Sequence, residues 1–482
     1  MPLILPGNVG SATAGGYEVA NSVVWDSATD AHMHITYGSA GDQNKWSWSG
    51  WVKRGTNFTT QQNIFATGTS NVNFVVIYFS TAGKLTYYDA TSTSTTAFLD
   101  TNAQFRDPSA WMHILISIDT TLGTANNRQR MWVNGTEQTS FANRINYNQD
   151  TDTKINGDVK HLLGGSFTGT SNIEFDGRMA EVVFQDGVAH TGAGDFGEFD
   201  SDSGIWKPKD VSGLTFGDNG FYLEFKESGT SQNSSGLGAD TSGEANHLAV
   251  SAMAATDQST DTCTNNFATL NALDNFYFGG TLSEGNLKVL SVASVESYIT
   301  NTIAVSTGKW YWEIKITASG SGKDFVGIAD KVSNNTNFTP YSGNSQVISY
   351  YGDNGHAKAG STTSDDSYGD TFGAGDIIGV AMDLDNNKLY FSKNGTFQDS
   401  GDPTSGSTGT GALAIPASPQ DGVYYAQFAN IHNTASTFEA NFGSPAFAIS
   451  SGNTDGDGHG NFEFAVPSGY FALCTKNLAE YG

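Results

Sequence analysis

The chain has 482 residues, of which 15% are charged and 12% aromatic, with 57 glycines and a formal net charge of −26. At roughly 100–200 residues per domain, that length holds two or three globular units. A composition rich in Gly, Ser, Thr, Asn and aromatics but poor in Lys, Glu and Leu favours strands and turns over helices, so the expected class is all-β. The acidic balance excludes nucleic acid and anionic lipid as partners, because counterion release needs clustered Lys and Arg. It fits neutral glycans, cations or contacts with other copies and assembly partners.

No stretch approaches the ~18 apolar residues of a membrane span, so no membrane insertion is expected. The opening run MPLILPGNVGSATAGG lacks basic residues and is interrupted by Pro. It reads as an N-terminal arm over residues 1–16, with no secretory signal. The two cysteines, Cys263 and Cys474, make neither a disulfide framework nor a zinc site. Two reduced, buried thiols, or one bridge from the inter-domain segment to the C-terminus, are both compatible with their spacing.

Residues 17–200 carry period-2 patterns with turn punctuation every ten residues or so, the signature of a sandwich. Lys45 to Lys53 alternates, with Trp46 and Trp48 on one side and Ser47 and Ser49 on the other. Phe74-Val75-Val76-Ile77-Tyr78-Phe79 is a continuous apolar run, expected of a strand covered on both faces. Trp111 to Asp119 is another strand; His113 within it reads as a strand histidine with no Ser or Cys partner beside it. Arg130-Met131-Trp132-Val133 then meets Asn134-Gly135, a hairpin turn in which both positions accept φ > 0.

In this order the pieces resemble a laminin-G-like (concanavalin-A-like) jelly roll. The phrases carrying the resemblance are Val23-Val24-Trp25-Asp26, Ser49-Gly50-Trp51-Val52, Gly83-Lys84-Leu85, Trp111-Met112-His113, Met131 to Gly135, Leu163-Gly164-Gly165 and Phe175 to Val182. The fold permits sugar binding, glycoside hydrolysis and structural roles alike. Hydrolases of the family place their two carboxylates in a Glu-x-Asp-x-Glu strand, which this sequence lacks. The nearest acidic alternation, Glu198-Phe199-Asp200-Ser201-Asp202, reads as a solvated linker, so no catalytic residue is expected.

Residues 201–275 read as a connector with extra strands that pack onto one domain or bridge both. Gly220 to Lys226 is one of these strands, and Asp261 to Asn266 reads as a capped turn. From 276 onward the chain has a second strand series: Lys309 to Ile316, Phe325 to Ala329, and Gly375 to Gly395, which runs turn, strand, Asp/Asn hairpin, strand, Asn-Gly hairpin. With the closing Asn441-Phe442-Gly443, this series resembles a SPRY domain, and residues 276–482 are assigned to a SPRY-like sandwich with a C-terminal extension. SPRY domains bind partners through loops at one end, which directs attention to Asn334 to Asn344 and Gly352 to Asp370. Tyr350, Tyr351, Asp353 and Asn354 are the candidate ligand-binding residues, since aromatic rings stack on sugars while Asp and Asn take hydroxyls. In Asn453-Thr454-Asp455-Gly456-Asp457, oxygen ligands alternate with Gly; Asn453, Asp455 and Asp457 are the candidate metal ligands and Ca²⁺ the candidate ion, although the twelfth-position carboxylate is missing.

The pairing of these two modules resembles a class of marine bacteriophage structural proteins. The phrases Phe196 to Lys209, Asp261 to Asn271 and Leu473 to Glu480 carry that resemblance. It implies a non-enzymatic virion structural protein at the virion surface, made in the host bacterial cytoplasm. The leading expectation is a tail-fibre or spike adhesin that binds host-surface glycans; the alternative is a capsid decoration or head-fibre protein. Its implied partners are other virion proteins, a host glycan and further copies of itself, as in a homotrimer. No cofactor other than the candidate Ca²⁺ is implied.

Overall fold

The computed structural model describes residues 16–55, 59–167, 173–275, 279–320, 323–330, 347–359, 366–432 and 434–482. The N-terminal arm before residue 16 and the loop Asn334 to Asn344 therefore lie outside the described residues. The chain divides into two compact units with the boundary between Thr264 and Asn265. Both units are built from mainly antiparallel sheets, in line with the all-β class the composition predicts. Among the described residues the sole α-helix is Thr475–Tyr481, and no helix is long and apolar enough to cross a membrane.

The first unit is a sandwich of two eight-stranded sheets. One runs in the order Thr136–Glu137, Gln129–Val133, Trp111–Asp119, Lys45–Arg54, Gly177–Asp186, Ser22–Trp25, Gln258–Ser259, with Phe221–Leu223 added to Gly177–Asp186. The other runs Phe141–Ile145, Thr95–Thr101, Leu85–Ala90, Asn73–Phe79, Gln62–Ser70, Lys160–Leu163, His32–Thr36, Ala249–Ser251. Strand alternation sends Trp46, Trp48, Ile77, Tyr87, Ile116 and Phe184 into the space between the sheets. The Asn134-Gly135 turn has φ of 47° and 71°, the two positive values a tight hairpin needs.

The outer side of the first sheet is not solvent. Trp51, Leu115, Trp132, Val183 and Tyr222 project from it and are covered by Ala193, Phe196, Trp206, Val211 and Phe216. The segment read as a connector thus divides: residues 201–264 roof and edge the first sandwich, and 265–275 belong to the second unit. A buried ion cluster fixes the end of this roof. Asp261 lies 2.8 Å from Lys53 Nζ and 3.5 Å from Arg178 Nε, and accepts from Trp111 Nε1 at 3.1 Å. Burial pulls the Lys53 ammonium down to about 8, against the pull of Asp261 in the other direction.

In the second unit, a nine-stranded sheet centres on Lys309–Ala318 and Ile377–Asp383 and faces a six-stranded sheet centred on Lys323–Ala329. Trp310, Trp312, Ile314, Val326, Ile328, Ile378 and Val380 fill the space between. The Asn394-Gly395 turn again has two positive φ values, 47° and 81°. The C-terminal extension lies on the outside of the larger sheet, where Phe462, Tyr470, Ala472 and Cys474 cover Tyr311, Ala381 and Tyr390. Buried Glu313 pins it, accepting from the Phe464 and Glu463 amides at 2.8 and 2.9 Å. Cys263 and Cys474 are both free thiols.

Candidate functional site

The structure does not assemble the four ligand-binding candidates of the second unit into a site. Tyr350 and Tyr351 end the strand Ile348–Tyr351 and do not lie in a loop. Being consecutive, they point to opposite faces. Tyr350 is fully buried, ringed by Phe372, Phe391 and Tyr368 at 5.0–5.6 Å, and its hydroxyl donates to the Asp370 carbonyl. Tyr351 packs edge-on against Phe325 at 4.6 Å in a separate buried cluster. Neither ring has a face left for a sugar. Asp353 and Asn354 do sit on an exposed turn, where Asp353 faces Lys323 at 3.9 Å and Asn354 Oδ1 accepts from the His356 amide at 3.0 Å.

The acidic loop is equally committed. Asp455 is buried, and its two oxygens accept from the amides of Asp457, His459 and Ala472 and from Asn477 Nδ2, at 2.7–3.0 Å. Carboxylate lone pairs filled by N–H donors are not available to Ca²⁺. Asn453 pairs through its backbone with Phe462, while Asp457 is exposed and interacts with the Tyr481 phenol. The loop is a clamp for the C-terminal helix, and the structure does not bring its three candidate ligands together. Among the described residues no group of three or more His, Cys, Asp or Glu is arranged to hold a metal.

Two buried constellations in the first unit were not visible in the sequence. His113 does have a serine partner: Ser49 Oγ lies 2.8 Å from its Nε2, across the strand pair. Both residues are about 1–2% exposed, and burial holds the imidazole down at about 3, so the pair is neutral and closed to substrate. Glu181 sits at a register break in Gly177–Asp186 with φ of 50°. Its carboxylate accepts from Tyr17 at 3.1 Å and from Tyr222, while the two phenols lie 2.9 Å apart. Burial pushes the carboxyl up to about 7, with Glu224 adding to the rise and Tyr222, Tyr17 and Lys226 opposing it. This cluster holds residue 17 against the sheet.

The outer side of the second sheet of the first unit presents half-buried aromatic rings among the described residues. Asn73–Phe79 was expected to be covered on both faces; instead, Val75, Ile77 and Phe79 enter the core while Phe74, Val76 and Tyr78 face outward. Val76 is 2% exposed because Phe74, Tyr78, Tyr88 and Phe167 roof it together with Ala66 and Leu162. Register aligns one residue per strand into a row: Phe98, Tyr88, Val76, Ala66, Leu162, His34. At one strand spacing per step the row is about 24 Å long. Tyr88 stands edge-to-face with Phe74 at 5.7 Å and with Phe98 at 5.4 Å, and all three rings are half-buried. A polar rim flanks them: Thr86 Oγ1 donates to Asp100 at 3.2 Å and Lys84 pairs with Asp100 at 3.0 Å. The Tyr78 hydroxyl, pushed up to about 12 by burial, stays protonated as a donor. Rings with exposed edges and faces beside hydroxyl and carboxylate groups suit a ligand with C–H faces and O–H rims.

Residues 27–190 match the concanavalin A-like lectin/glucanases superfamily, and residues 309–421 match the SPRY domain. Human Ran-binding protein 9 is 33% identical over 132 residues, covering 25% of this chain and 17% of that protein. Its Xenopus tropicalis counterpart is 34% identical over 124 residues, covering 24% of this chain and 22% of the other. The chain thus spans about a fifth of the length of these curated relatives. Among solved structures, the SPRY domain of human HERC1 is 15% identical and covers 32% of this chain and 87% of its own, with a TM-score of 0.25. A heptameric SAP-like pentraxin from Limulus polyphemus is 13% identical and covers 36% and 80%, with a TM-score of 0.28.

Proposed function

We propose, for a chain that carries a concanavalin A-like domain over residues 27–190 and a SPRY domain over residues 309–421, a recognition role without catalysis. In this reading it is a virion structural protein displayed at the particle surface, a tail-fibre or spike adhesin that binds host-surface glycan. The observation that carries the reading is the aromatic row of the first sandwich, with Phe74, Tyr88 and Phe98 at its centre. The binding face moves from the loops of the second unit to a sheet face of the first. The absence of catalysis is supported by the closed Ser49–His113 pair and by the ion-paired state of Glu198 and Asp200, which engage Lys207 and Lys209. The SPRY unit is then the part that engages other virion proteins, with the similarity of the chain to Ran-binding proteins as support.

The test is a glycan array and a cell-adsorption assay with the intact protein and with Tyr88→Ala and Phe98→Ala. Each aromatic contact is worth about 1 kcal/mol, so each variant should bind about fivefold more weakly while keeping its β-type circular dichroism. Binding that is absent, or unchanged in both variants, replaces this reading with the capsid decoration or head-fibre role. Imaging particles labelled with an antibody to the chain then places it on head or tail.

A further inference from the structure

We propose that the His34 end of the aromatic row is a subsite for an anionic group, so that the preferred ligand is a glycan containing carboxylated sugars. This rests on the glycan reading above and corrects the neutral glycan expected from net charge. The observation is a local exception in an acidic unit. The first unit has eight lysines, and seven of them, at 45, 53, 84, 154, 207, 209 and 226, are in ion pairs. Lys160 is the eighth, and its ammonium has no ion-pair partner among the described residues. It stands on the same outward face as Leu162, next to the strand that carries His32 and His34.

Lys160 is opposite Thr36 and so diagonal to His34, with His32 two residues away on the other side of His34 and Ala249 continuing the row beyond it. The His32 and His34 rings are 5.6 Å apart, and Leu162 is directly opposite His34. His32 Nδ1 contacts the Asp30 carbonyl at 2.8 Å and lies 3.6 Å from its carboxylate, so Asp30 is turned to His32. Burial, then Lys160, then His32 lower the His34 basicity, so the positive charge of the subsite comes from Lys160. Two histidines at alternate strand positions could also suggest a metal, but an adjacent ammonium opposes a cation and favours an anion. The net charge of −26 is spread over the whole chain and screened beyond about 8 Å at physiological salt, whereas a bound carboxylate meets Lys160 at contact distance.

The test titrates the intact protein with two probes of equal length, cellohexaose and a galacturonate hexasaccharide, at low and physiological salt. The uronate should bind about threefold or more tightly than the neutral probe at low salt, with the difference shrinking as salt rises. Lys160→Gln should abolish the preference without weakening cellohexaose, and Lys160→Arg should keep it; Lys160 is half-exposed, so both variants fold. Tyr88→Ala should weaken both probes. Equal affinity for the two probes, or a preference that survives Lys160→Gln, overturns the anionic subsite while leaving the aromatic row standing. No binding of either probe overturns the glycan reading and the subsite with it.

Discussion

Replacing Glu181 by Gln should change how stability depends on pH, and the direction can be worked from the structure. An unfolded glutamate titrates near 4.5, while burial in the first unit raises Glu181 to about 7. The folded state therefore holds the proton more tightly than the unfolded state. The contribution is fully present below about pH 4.5, falls as pH rises toward 7, and is flat above that. Two to three pH units of displacement correspond to roughly 3 kcal/mol, and Glu181 is 6% exposed, so solvent screening does little to reduce this. Gln keeps the shape and the acceptor oxygen for Tyr17 and Tyr222 but carries no charge. Urea denaturation of both proteins from pH 5 to pH 8 should give curves that nearly coincide at the acidic end and separate toward the alkaline end, with the Gln variant more stable there by a few kcal/mol. Comparing the two proteins cancels the slopes from other buried acids such as Asp89 and Glu313. A constant offset across the range, or a wild type that gains stability over the variant as pH rises, would refute the argument.

Asp261→Ala leaves Lys53 and Arg178 as buried cations without their shared counter-charge, and should cost about 3–5 kcal/mol in the urea midpoint of the first unit. Gly395→Val places a β-branched residue at φ of 81° with its Cβ about 2.5 Å from Phe464, so the melting temperature should drop by an amount equivalent to roughly 1–3 kcal/mol; an unchanged melting temperature rejects the turn assignment. Asp455→Ala removes the acceptor for four donors and should expose the C-terminal helix to tryptic cleavage after Lys476. Millimolar Ca²⁺ should not shift the melting temperature of the parent protein, since the Asp455 oxygens are already filled.

The fold was largely legible because strand alternation and turn chemistry are local. Trp46 and Trp48 announce a core face from spacing alone, and both Asn-Gly pairs adopt the positive φ values that their chemistry favours. What was not legible depends on which strands become neighbours. Ser49 and His113 are far apart in sequence and meet only through the antiparallel register of their strands. The run Phe74–Phe79 could not reveal that, among the described residues, its outward side chains are covered by their own neighbours and Phe167, because an apolar run looks the same under a full second layer. Tyr350-Tyr351-Gly352-Asp353-Asn354 has loop-like composition only in its second half; the tyrosines finish a strand before the turn begins. In the acidic loop, alternating Asp and Gly satisfy a metal-loop pattern and an amide-capping pattern equally, and only the amides of His459 and Ala472 decide between them.

The layer formed by Phe196, Trp206, Val211 and Phe216 bears on how the chain can be dissected. A fragment ending near residue 200, where the sandwich pattern stops, would lose Phe221–Leu223, Ala249–Ser251 and Gln258–Ser259 from the edges of the sheets and strip Trp206, Val211 and Phe216 from the cover over Trp51, Leu115 and Trp132. It would also lose the Asp261 counter-charge of Lys53 and Arg178. Such a piece should self-associate through a bared aromatic surface of several hundred Å², and its stickiness would be an artefact of the cut, easily mistaken for ligand binding. A fragment that ends at Thr264 retains the cover and the counter-charge, and is the piece suited to isolated binding and crystallisation work.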